Sequence, residues 1–279
     1  MRRRLLLAAV VALGVAAAAL PGSARAIPVP HTVVRQADGV RATFSYVEDH
    51  DTEAVFTNLR LVIERNGTQI VNRRILRACS FCRPWVEPNP LRVRDLDGNG
   101  EPEVVLRLFT GGAHCCFYDQ VYRYVATGPT YKKTRWSWGN EVARIVNLGH
   151  DRRVEFVTGD DRFNFAFTAF AFSEVPIQIW RFRHGRFVDA TRIGFREQKL
   201  IDARRHWDSF LAHRRHFDVR GVLAAWEADQ FLLGKGGAGW KVLESLRRQG
   251  FLKSDGFGPA GEAYLKALRR FLERTGYIR

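Results

Sequence analysis

Asp95-Leu-Asp-Gly-Asn-Gly-Glu-Pro-Glu103 leads into Val104-Val-Leu-Arg-Leu-Phe109 and then Thr110-Gly-Gly-Ala-His-Cys-Cys116. Oxygen-bearing side chains recur at alternate positions, Asp95, Asp97, Asn99, Glu101 and Glu103, while Gly98 and Gly100 let the backbone curl between them. A hard cation such as Ca²⁺ takes about six to eight oxygens in a flexible cage, and a short loop of this kind can supply them. Asp95, Asp97 and Asn99 would offer side-chain oxygens, Glu101 its backbone carbonyl and Glu103 a closing carboxylate. The competing reading is a polar turn in which Asp and Asn bond their own backbone. An EF-hand is excluded, because that motif needs a Glu at position twelve and helices on both sides. Here the loop opens directly onto an apolar strand.

Working outward, the same text recurs. Val146-Asn-Leu-Gly-His-Asp-Arg-Arg-Val-Glu-Phe-Val157 aligns with Arg94–Val105 at an offset of 52, and Gln178-Ile-Trp-Arg-Phe182 with Gln120-Val-Tyr-Arg-Tyr124 at 58. Recurrence at about 50 residues marks repeated supersecondary units. The second copy keeps Asn147, Asp151 and Glu155 but carries Gly149 and His150 in mid-loop, so it is expected to bind calcium poorly or not at all. Upstream, Leu59–Arg65 and Thr68–Asn72 alternate around Asn66-Gly67, the strongest short hairpin signal. A further hairpin is expected from Asp119–Val125 and Tyr131–Trp136. Together these make at most three blade-like units, fewer than the four or so of a closed propeller. After Arg192 the apolar period lengthens to a helical one: Leu200, Ala203, Trp207 and Leu211, then three further segments punctuated by Gly234, Gly250 and Gly258-Pro259. The expected class is α+β, with a β-repeat region over residues 27–195 and a helical region over 196–279.

At the acidic loop the chain resembles the calcium loops of FG-GAP/VCBS repeats, the blade-type repeats of integrin-like propellers. The likeness is strong over about a dozen residues and looser over half the chain. It implies a structural ion that pins a blade, and implies no catalytic activity.

Arg2-Arg-Arg4, an apolar run from Leu5 to Leu20 and Ala24-Arg-Ala26 have the three parts of a secretory leader. Cleavage is expected after Ala26, giving a secreted or envelope-associated protein with no membrane span in its mature part. The net charge is +15, or +11 once Arg2, Arg3, Arg4 and Arg25 leave. Such a balance suits solvated faces or an anionic polymer of the cell envelope; another protein is also a possible partner, and nucleic acid is not expected. Export favours disulfides for Cys79, Cys82, Cys115 and Cys116. Adjacent cysteines rarely pair, so Cys115 and Cys116 are each expected to reach back, with Cys79–Cys116 and Cys82–Cys115 preferred. A thiolate zinc site involving His114 and a redox Cys79-x-x-Cys82 are the alternatives.

The glycine-rich Gly234–Gly239 stretch lacks the strand and the Gly-Lys-Ser/Thr ending of a phosphate loop. Asp160-Asp161 reads first as a solvated turn, and His206, His213 and His216 as solvent-facing. The functional expectation is a calcium-stabilised binding or structural module. The alternatives are an extracellular hydrolase using Asp160, Asp161 or Glu103, and a thiol–disulfide protein using Cys79 and Cys82.

Overall fold

The computed structural model describes residues 27–50, 55–76, 85–254 and 256–279. The expected leader, Cys79 and Cys82 lie outside them. Among the described residues, twelve strands form three four-stranded antiparallel sheets, and four helices follow. Sheet 1 is a meander of β1 (Val29–Ala37), β2 (Val40–Glu48), β3 (Phe56–Arg65) and β4 (Thr68–Arg74). Sheet 2 continues with β5 (Trp85–Arg94), β6 (Glu103–Gly112), β7 (Cys115–Val125) and β8 (Thr130–Gly139), and sheet 3 with β9 (Arg144–Val146), β10 (Glu155–Gly159), β11 (Ile177–Arg183) and β12 (Arg186–Asp189). The helices are α1 (Arg196–His213), α2 (Arg220–Leu232), α3 (Gly236–Arg248) and α4 (Gly261–Arg274). The class is α+β, as the change of apolar period predicts. Among the described residues no helix is long and apolar enough to cross a membrane.

Local chemistry explains the hairpins. Asn66 and Gly67 both take positive φ, 47° and 80°, as a two-residue hairpin turn with right-handed strand twist requires. The internal repeat maps strand onto strand: β6 and β10 are each the second strand of their sheet, and β7 and β11 each the third.

The sheets stack with their meanders in series. Phe44, Leu61 and Ile63 of sheet 1 pack on Leu106, Leu108, Tyr118 and Tyr122 of sheet 2. Val105, Val121 and Trp138 of sheet 2 pack on Phe156, Phe182 and Phe187 of sheet 3. Sheet 2 is therefore covered on both faces, which accounts for the apolar side chains on both faces of β6. Arg107, within that strand, is buried against Asp119 through two 2.7 Å contacts, and Trp138 Nε1 donates to the same carboxylate at 2.9 Å. The outer face of sheet 3 (Val157, Ile177, Ile179) meets Phe195 and Leu232. A separate helical core is built on Leu223, Leu243, Tyr264 and Leu268.

Candidate functional site

The acidic loop joins β5 to β6. Asp95 Oδ1 accepts the backbone N–H of Gly98 at 2.8 Å and of Asn99 at 3.2 Å, and Asp95 Oδ2 accepts that of Gly100 at 2.7 Å. Gly98 and Gly100 sit at φ 78° and 88°, a conformation open to glycine at little cost. Asn99 Oδ1 accepts the N–H of Glu101 at 2.7 Å, and the Glu101 side chain pairs with Arg65 at the end of β3. Two of these side chains hold the loop itself: Asn99 shapes the turn, and Glu101, expected to ligate through its backbone carbonyl, uses its carboxylate to tie the loop to sheet 1.

What remains is a group of three. Carboxylate oxygens of Asp95, Asp97 and Glu103 lie within 4.8 Å of one another. Glu103 is fully buried; its Oε2 accepts the Leu96 N–H at 2.9 Å, while its Oε1 and Asp97 Oδ1 are buried without a hydrogen-bond partner. Burial, with the neighbouring Asp97 and Asp95 carboxylates adding to it, pushes Glu103 up to about 8. Buried oxygens left unpaired are costly, and a divalent cation would satisfy both. The residues present therefore fit the ion.

The second copy supplies an internal control. Glu155 is the counterpart of Glu103, and its Oε2 accepts the Leu148 N–H at 2.9 Å just as Glu103 accepts that of Leu96. Its Oε1, however, is taken by Arg181, through Nε at 2.8 Å and a terminal nitrogen at 2.7 Å. A guanidinium fills the place that the first copy leaves open. Arg123, the counterpart of Arg181, acts on Glu103 only through its charge, and its Nε has no hydrogen-bond partner. His150 takes φ 51° where the first loop has Gly98, so the second loop keeps the turn without the glycine. The loops also touch, the Val154 N–H donating to Leu96 O at 3.3 Å.

A cavity of about 510 Å³ opens at one end of the interface between sheets 2 and 3, lined in part by Trp136, Thr158, Asp160, Asp161, Gln178 and Trp180. Asp160-Asp161 is no solvated turn. Asp160 is buried, held by Arg162 Nε at 2.7 Å and by the Tyr277 hydroxyl at 2.9 Å. Asp161 Oδ1 accepts from the backbone and side chain of Asn140, each at 2.8 Å, and from Asn164 at 3.0 Å. Gly139, at φ 68°, faces Asp161 so closely that a Cβ there would collide with the carboxylate.

Sequence reasoning missed a second polar group. His206 is fully buried, not solvent-facing; its Nδ1 lies 2.8 Å from Asp229 Oδ2, with Asp202 beside it. Burial pulls the imidazole down to about 4 and pushes the Asp229 carboxyl well above its ordinary value. Asp202 also accepts the Ile177 N–H at 2.8 Å, which fastens α1 to β11. A histidine on a polar helix gives no sign in sequence that its partner lies on another helix.

Cys115 and Cys116 open β7, where the Thr110 hydroxyl bonds both residues' backbone at 2.6 Å. Their sulfurs lie side by side without forming a true bridge, and the pairings expected with Cys79 and Cys82 involve residues outside the described ones. His114 packs its ring on Phe165 and Phe170.

A family model described as the sll0997 C-terminal domain matches residues 201–276, the helical part of the chain. The chain is similar to the probable thylakoid lumen protein sll0997 of Synechocystis sp., 28% identical over 207 residues, covering 67% of this chain and 60% of that protein. It is also similar to the uncharacterized protein y4bJ of Sinorhizobium fredii, 25% identical over 201 residues, covering 64% of this chain and 30% of that protein. The chain thus spans less than two thirds of the length of either relative. No solved structure matches.

Proposed function

We propose that this chain is an exported binding module whose middle sheet is pinned by a calcium ion at Asp95, Asp97 and Glu103. The observation that carries the reading is the contrast between two equivalent glutamates. Glu155 is neutralised by Arg181, whereas Glu103 and Asp97 keep buried oxygens unpaired and close together. The likeness of the loop to FG-GAP/VCBS loops supports the same ion, and oxygen-only donors suit a hard cation. Export is supported by the leader-like N-terminus and by the relative named as a lumen protein.

Binding is preferred to hydrolysis because the carboxylates at the cavity are held by donors. Arg162 and Tyr277 take Asp160, and Asn140 and Asn164 take Asp161.

Melting the purified chain in calcium and in chelator tests the ion. Calcium in large excess over its dissociation constant should stabilise the chain by about 3 kcal/mol, or roughly 6–12 °C in a domain of this size. Asp97→Ala should abolish the shift, while Asn147→Ala in the second loop should leave it intact. Identical melting of the native chain in calcium and in chelator would overturn the reading.

A further inference from the structure

We propose that the cavity between sheets 2 and 3 is a saccharide site, built for a neutral disaccharide-sized unit. This rests on the binding-module reading and names its ligand class.

The register of the strands builds the site. Side chains on one face of a strand recur every second residue. On the face of sheet 3 turned to sheet 2, β10, β11 and β12 each have an aromatic core end and a polar end. Phe156 neighbours Thr158 along β10, Phe182 and Trp180 lead back to Gln178 along the antiparallel β11, and Phe187 neighbours Asp189 along β12. Thr158 pairs with Gln178, and Trp180 with Asp189, so the polar ends lie together at one edge of the interface. From sheet 2, β8 contributes Trp136, its ring 4.8 Å from that of Trp180 at 55°. The two half-buried indoles form an angled apolar wall beside that polar edge.

The polar groups select the ligand. Thr158 is about nine-tenths buried, and its hydroxyl has no hydrogen-bond partner. Gln178 Oε1 accepts from Trp180 Nε1 at 3.1 Å, which leaves the amide N–H groups as donors. Asp161 concentrates its protein bonds on Oδ1, leaving Oδ2 as an acceptor. A purely apolar ligand would bury these groups unpaired, at a cost for each. A cation would use the carboxylates and the indole faces but would meet the Arg162 guanidinium, which is half exposed at the same cavity. A sugar ring has an apolar C–H face for the indoles and hydroxyls that both donate and accept, so it meets every demand of the wall. The volume of about 510 Å³ lies within the range of small-molecule sites.

The test titrates the full chain with cellobiose, N,N′-diacetylchitobiose and spermidine by calorimetry, with saturation-transfer NMR to locate the bound face. One or both disaccharides should bind with a dissociation constant in the millimolar range or tighter. Trp180→Ala and Gln178→Ala should each weaken binding about tenfold, while Trp240→Ala, on α3, should not. Should Trp180→Ala lower the melting temperature, Gln178→Ala decides. Failure of both sugars to bind at about 20 mM, binding that survives both cleft variants, or saturation by spermidine alone would each overturn the assignment. A calcium-dependent melting shift that persists alongside any of these would leave the calcium reading standing and remove only this one.

Discussion

Glu227 is fully buried on α2, and neither of its carboxylate oxygens has a hydrogen-bond partner. It lies against Gly239 of α3, where a Cβ would strike the carboxylate, so the close helix approach depends on that glycine. Burial pushes the acid up to about 9, with Arg269 opposing weakly. A carboxyl raised in the folded state stabilises most below its unfolded value of about 4.3 and loses that contribution as pH rises towards 9. Each unit is worth about 1.4 kcal/mol, so urea unfolding at pH 5 and pH 8 should show a native loss on the order of 2–4 kcal/mol from this group. Glu227→Gln should flatten that loss, and an unchanged pH slope in the variant would show that Glu227 is ionised in the fold. Neither Glu227 nor His206 was legible in sequence, for a shared reason: helical periodicity assigns charged residues to the wet face, and only the packing of α2 among α1, α3 and sheet 3 buries that face too.

At the scale of strands and loops the sequence was far more readable. Asn66-Gly67 announced its hairpin because positive φ is a local demand met by few residue types. The two copies aligned because β6 with β7 and β10 with β11 repeat one local geometry. Less legible was how each copy settles its buried glutamate, since Arg123 and Arg181 occupy equivalent places and only Arg181 bonds its partner. Arg107 with Asp119 escaped notice as well, because nothing in β6 or β7 says that sheet 3 covers them. The Glu155–Arg181 pair yields a direct prediction. Glu155 has no exposure, so Arg181→Ala strands a buried carboxylate and should cost about 3 kcal/mol by chemical denaturation. The double variant Arg181→Ala with Glu155→Gln should recover part of that cost by removing the charge. If the single variant loses under about 0.5 kcal/mol, the ordinary range for a surface site, the pair does not hold the second loop.

Across the whole molecule the α+β class was visible in the lengthening of the apolar period, yet the particular contacts that join the two parts were not. The outer face of sheet 3, with Val157, Ile177 and Ile179, is covered by Phe195 and by Leu232 of α2. Asp202 of α1 caps the Ile177 N–H, and the C-terminal tail returns to the β part, with the Tyr277 hydroxyl donating to Asp160 at 2.9 Å and Arg192 donating to Tyr277 O at 2.9 Å. A chain ending at residue 195 would therefore expose an apolar sheet face and leave the buried Asp160 with Arg162 alone. Such a fragment should bind a hydrophobic dye and lack a sharp melting transition, whereas residues 27–279 should unfold in one cooperative step. Removing only residues 275–279 is the finer cut. It deletes the tyrosine hydrogen bond and the buried Tyr277 ring while sparing all four helices, and should lower stability by roughly 2–4 kcal/mol, or about 4–16 °C. Calorimetry that resolves two independent transitions, with residues 1–195 melting where the intact chain does, would show that the helices merely accompany the sheets and that the tail contact contributes nothing to the fold.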